Sequence, residues 1–164
     1  MQLLVRRMLY QALEEAFAMT SLPWERCYRE DRGDGALIVA PPDVPAYLFM
    51  DPLAHHLAAV LRYGNRLTSD LTRLQVRLAA HVGLVHCDVH GVTGRALNHL
   101  FRLIEADAFK SLLAARGSDI GLIVSDQLYT EVTGEGGLVN ADAYQALECE
   151  TKETKARAWT WFPS

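Results

Sequence analysis

No stretch of this chain stays apolar for the roughly 20 residues that a membrane-spanning helix needs, and its first residues lack the pattern of a cleaved leader. Cysteine is scarce. Cys27, Cys87 and Cys149 are odd in number, far apart and in no C-x-x-C pair, which reads as free thiols in a reducing compartment. Basic charge is also short: 16 Lys and Arg stand against 20 Asp and Glu for a net charge of −4, so no basic stripe exists to attract nucleic acid. Internal repeats and low-complexity tracts are missing too. These absences point to a soluble, cytoplasmic protein with neither nucleic acid nor membrane as partner. What is present, 164 residues of which 50% are hydrophobic, suffices for one core-bearing domain over residues 1–164 and is too short for two comfortable ones.

Hydrophobic spacing then orders the elements. Val5, Leu9, Leu13, Ala16 and Phe17 recur at helical intervals as far as Met19, where Thr20-Ser21-Leu22-Pro23 breaks the helix. Residues 28–39 form a charged strand end, the turn Gly33-Asp34-Gly35 and an apolar strand, the pattern of a hairpin in which glycine supplies a positive φ. Asp51-Pro52 opens a second helix with Leu53, Leu57, Val60 and Leu61 on its apolar face, ending at Gly64-Asn65. Residues 74–85 read as two strands around Gly83. A helix carrying Asn98 follows, then a short helix over 108–115, a buried strand over 120–124, a helix capped by Ser125, a glycine-rich turn at 134–137 and a closing hairpin over 146–162.

Two of these segments carry chemistry. In Asn98-His99-Leu100-Phe101-Arg102 an amide and a guanidinium four residues apart share one helix face, and such a pair can hold a sugar and a phosphate together. The hairpin at Asp34, the strands between, and the Asn-x-x-x-Arg helix, taken in this order, resemble the catalytic domain of the class III nucleotidyl cyclases. The resemblance runs over most of the chain. It implies an α+β, ferredoxin-like nucleotidyl cyclase fold, a mainly antiparallel sheet with helices packed on one face. It also implies roles. Asp34 would bind Mg²⁺ (or Mn²⁺), Glu30 would contact the base, Asn98 would orient the ribose, and Arg102 would stabilise charge on the α-phosphate. Lys152 in the closing hairpin would reach the outer phosphates, with Lys155 as its competitor. In the family a site is shared between subunits, so the resemblance implies a homodimer in which Asp34 and Glu30 of one chain approach Asn98 and Arg102 of the other.

The departures from the family are as specific. Its members begin with a strand holding a first metal-binding aspartate in an Asp-x-x-Gly-Phe pattern; this chain starts inside the first helix, where the first acidic residues are Glu14 and Glu15. The second base-reading position, seven residues before Asn98, is Gly91. One metal carboxylate cannot support a two-ion mechanism. The expectation is therefore a degenerate cyclase-like domain that binds a nucleoside triphosphate in a regulatory or signalling role, with a gap in the sheet where the first strand is missing. Two alternatives stand beside it: an active cyclase, if an upstream strand supplies the first aspartate, and a purely structural dimerisation module.

A few residues invite rival readings. His86, Asp88 and His90 on one strand face, with His81 nearby, make a metal site chemically possible, but three ligands on one strand are too collinear to close a tetrahedron. His55-His56 reads as structural. Trp159, Trp161 and Phe162 on the last strand read as packing rather than base stacking.

Overall fold

The computed structural model describes residues 2–67, 73–150 and 155–164. α1 (Gln2–Met19) leads into a hairpin of β1 (Tyr28–Asp31) and β2 (Ala36–Val39), and α2 (Asp51–Arg66) follows, packing on α1 and on the later strand β6 (Ile120–Ser125). β3 (Val76–Ala80), a small hairpin of β4 (His86–Asp88) and β5 (Gly91–Thr93), α3 (Arg95–Glu105) and α4 (Asp107–Arg116) follow. β6 (Ile120–Ser125), α5 (Asp126–Gly134), β7 (Gln145–Glu150) and β8 (Lys155–Trp161) complete the order. The result is an α+β fold. Four of the five strand pairings among the described residues are antiparallel; the exception is β3 with β6, which run parallel because α3 and α4 cross over between them.

Residues 74–85 do not form the expected hairpin. Only Val76–Ala80 is a strand, and the hairpin lies further on, at β4 and β5. The reason is at Gly83, where a Cβ would stand 2.6 Å from the Cβ of Ala96: this glycine lets the loop lie flat against the start of α3 instead of turning the chain back.

β6 organises the core. Its run Ile120-Gly121-Leu122-Ile123-Val124 is buried throughout, as an apolar strand without alternation should be. Ile120, Leu122 and Val124 pack with Phe17 of α1 and Leu53 and Leu57 of α2, while Ile123 packs with Leu103 of α3 and Phe109 of α4. Helices therefore cover both faces of the sheet rather than one, since a strand apolar on both sides must be shielded on both. Side-chain links fasten α2, among them the paired bonds of the Asn65 amide with the Leu74 backbone. His56 Nδ1 lies 2.8 Å from the Thr20 hydroxyl at the end of α1, and the Tyr144 hydroxyl both donates to Asp51 Oδ1 at 2.9 Å and accepts from the Asp51 N–H at 2.8 Å. His56 is thus structural.

The sheet is split. A four-stranded part runs β3-β6-β8-β7, and β1-β2 stands apart from it, so among the described residues β2 and β3 each pair on one side only. The split agrees with the expectation of a gap in the sheet. Ala36 and Ile38 of β2 and Leu78 of β3 nevertheless pack against the same apolar cluster, which puts both pieces beneath the α1–α2 layer.

Candidate functional site

Asp31, not Asp34, shapes the β1–β2 turn. Its Oδ1 accepts the Gly33 N–H at 2.9 Å, Gly33 adopts φ +84°, and the Arg32 N–H donates to the Gly35 carbonyl at 2.9 Å. Arg6 of α1 holds the turn from outside, pairing with Asp31 at 3.4 Å and donating to the Gly33 carbonyl at 3.3 Å. Asp34 is left exposed at the tip.

Glu30 is held from two directions. The Tyr28 hydroxyl donates to Oε2 at 2.7 Å and Arg32 to Oε1 at 2.9 Å. These bonds, the tyrosine's first and the arginine's second, hold the Glu30 carboxyl below the usual carboxylate range. Arg32 also lays its guanidinium over the ring of Phe101 in α3, 4.4 Å from the centroid. A Cβ at Gly91 would stand 3.5 Å from the Tyr28 hydroxyl and 3.9 Å from Glu30 Oε2. The structure thus gathers Glu30, Gly91 and the flank of α3 within one chain.

α3 starts at Gly94, whose φ of +147° and whose 2.8 Å approach of a built Cβ to the Leu84 carbonyl leave room for no other residue. Leu97 and Leu103 bury the inner side of the helix. Asn98 and Arg102 stand exposed one turn apart on its outer side, as the sequence spacing requires. Lys152 lies outside the described residues. Lys155 pairs with Glu150 at 3.4 Å on the exposed hairpin.

The metal donors fit poorly. Asp34 is a lone carboxylate, its neighbour Asp31 is taken up by Gly33 and Arg6, and among the described residues no group of three or more His, Cys, Asp or Glu could hold an ion. A two-ion centre is not built by these residues. The rival histidine set is not built either: β4 ends at Asp88, whose Oδ1 accepts the His90 N–H at 2.7 Å in the turn, so His86, Asp88 and His90 do not share a strand face.

A polar cluster escaped the sequence reading. His81 Nδ1 lies 2.6 Å from Ser125 Oγ, and the His81 and His99 rings meet edge to face with centroids 4.8 Å apart. Burial, then the neighbouring His99, pushes the His81 pKa down to about 4; burial, then the charge of Arg102, lowers that of His99. Ser125 was legible as the cap of α5, which it is, accepting the Leu128 N–H at 3.2 Å. Nothing local pairs it with a histidine 44 residues earlier. Of the last-strand aromatics, Trp161 is buried, Phe162 lies near Phe109 with centroids 6.5 Å apart, and Trp159 stacks on Tyr129 at 3.9 Å, so all three pack.

The fold is that of a nucleotidyl cyclase-like domain. The likeness is to a crystal structure of an adenylate/guanylate cyclase/hydrolase from Silicibacter pomeroyi, with a TM-score of 0.65 and 19% sequence identity over 97% of this chain and 84% of that one. No protein-family model and no curated protein matches the chain.

Proposed function

We propose that this chain is a degenerate cyclase-like domain that binds a nucleoside triphosphate as a regulatory or signalling ligand and turns it over negligibly. The supporting observation is the docking of the Glu30 hairpin on the helix of Asn98 and Arg102 through Arg32 and Phe101, with Asp34 exposed at the hairpin tip. Glu30, kept ionised by Tyr28 and Arg32, only accepts hydrogen bonds, so it suits a base edge that offers N–H donors. Asn98 presents an amide to the ribose hydroxyls, and Arg102 presents a forked cation to the phosphates. Lys152 would reach the outer phosphates. Asp34 would offer a single carboxylate ligand to a Mg²⁺ or Mn²⁺ carried by the triphosphate. A homodimer would then complete the site with Asp34 of the second chain, since Glu30 stands beside α3 of its own chain rather than across an interface.

The test is direct. The purified chain is incubated with each of the four common triphosphates and Mg²⁺ or Mn²⁺, and both binding and 3′,5′-cyclic product are measured. Weak binding, reduced by Asp34→Ala and reduced further by Arg102→Ala, with negligible product, is expected. Clear turnover that Asp34→Ala abolishes would make the protein a working enzyme. A second reading, a structural dimerisation module, draws on the free edges of β2 and β3. It would be preferred if sedimentation found a dimer and no triphosphate bound.

A further inference from the structure

We infer that the cleft between the starts of α3 and α5 is a second ligand site, separate from the Glu30–Arg102 surface, which takes an organic anion with a phosphate or carboxylate head. The cleft has a volume of about 780 Å³, and neither Glu30, Asp34, Asn98 nor Arg102 lines it. Small-molecule sites span roughly 300–1,000 Å³.

Its polar lining is built to donate. Arg95 and Arg157 come from α3 and β8, and neither has an ion-pair partner among the described residues. His81 adds a fixed donor. Ser125 Oγ accepts the Leu128 N–H, and no third partner of this buried hydroxyl is found among the described residues, so its proton goes to His81 Nδ1 at 2.6 Å. The His81 proton then sits on Nε2, which lies 3.8 Å from where a Cβ on Gly83 of the cleft wall would be. The ring stays neutral at ordinary pH, because burial disfavours its charged form. One carboxylate, Asp126, also lines the cleft, but its Oδ1 accepts the Trp159 Nε1–H at 2.9 Å. Apolar Val82 and Leu84 lie along the same wall. Two guanidiniums, that of Arg157 resting over the Trp159 ring 5.1 Å from its centroid, and a neutral imidazole N–H beside an apolar wall match a charged oxygen head on a carbon body.

Calorimetric titration of the full chain with adenosine 5′-monophosphate, benzoate and inorganic phosphate tests this. Expected is binding of at least one of the two organic anions, at least tenfold tighter than inorganic phosphate; which of them binds identifies the head. The Arg95→Ala/Arg157→Ala double variant should weaken that binding at least tenfold, whereas Arg102→Ala should leave it within twofold. Both arginines are exposed, and a thermal melt of the double variant matching the parent shows that the fold is kept. Failure of both organic anions to bind overturns the inference, as does binding that survives in the double variant or is lost in Arg102→Ala. Triphosphate binding that depends on Arg102 belongs to the proposed function, so the two readings fail separately.

Discussion

Arg32 reaches from the β1–β2 turn to the ring of Phe101, 4.4 Å from its centroid, while the same guanidinium donates to Glu30. One side chain therefore both holds the Glu30 carboxylate and docks its hairpin on α3. Arg32→Ala should cost about 0.5–1 kcal/mol in a urea titration, the range of an exposed cation–π contact. Its effect on triphosphate affinity should be larger than on stability. Equal affinity in parent and variant would mean that the hairpin needs no such anchor.

Gly121 marks the tightest contact of β6 with α4. A Cβ there would meet Phe162 Cε1 at 2.8 Å, Phe109 Cε1 at 3.2 Å and Leu113 Cδ1 at 3.3 Å. Gly121→Ala should destabilise the domain by about 1–3 kcal/mol, the usual cost of overpacking. Equilibrium unfolding followed by tryptophan fluorescence measures it. Phe162→Leu in the Gly121→Ala background should recover part of the loss by giving the methyl room.

Acid should weaken the fold through His81. The unfolded side chain titrates near pH 6.5 and the folded one at about 4. Between those values the unfolded chain takes up a proton that the folded one refuses, so stability is full above about pH 6.5 and falls as pH drops toward 4. His99, lowered for the same reason of burial, acts with the same sign. Urea midpoints at pH 7 and pH 4.5 should differ less in His81→Gln than in the parent.

Cys87 is exposed, whereas Cys27 and Cys149 are buried and burial raises both of their thiol pKa values. A thiol-specific chromogenic reagent should therefore titrate one group in the native protein and all three in denaturant. Fast reaction of more than one native thiol would contradict this packing.

Particular residues show what could be read in advance. The unbroken apolar run of β6, the Ser125 cap and the Gly33-Asp34-Gly35 turn are local, and each fell where its chemistry required. The spacing of Asn98 and Arg102 was equally plain, because helix geometry alone puts them together. Residues 74–85 misled because a glycine between apolar stretches suits a turn and a close approach alike, and only Ala96, 13 positions on, distinguishes them. The helices on the second face, the Arg32–Phe101 contact and the Ser125–His81 bond all join distant parts of the chain. No local pattern carries such information.

The break between β2 and β3 has a consequence for motion. With no backbone bonds to the larger sheet among the described residues, the β1–β2 hairpin is held by its apolar side, by Arg6 and by Arg32, and a two-stranded hairpin is marginal by itself. Amide hydrogens of residues 28–39 should then exchange with deuterium through a local opening far easier than the one that exposes β6. Slower exchange there on adding a triphosphate would reveal a ligand that binds by ordering one half of its own site.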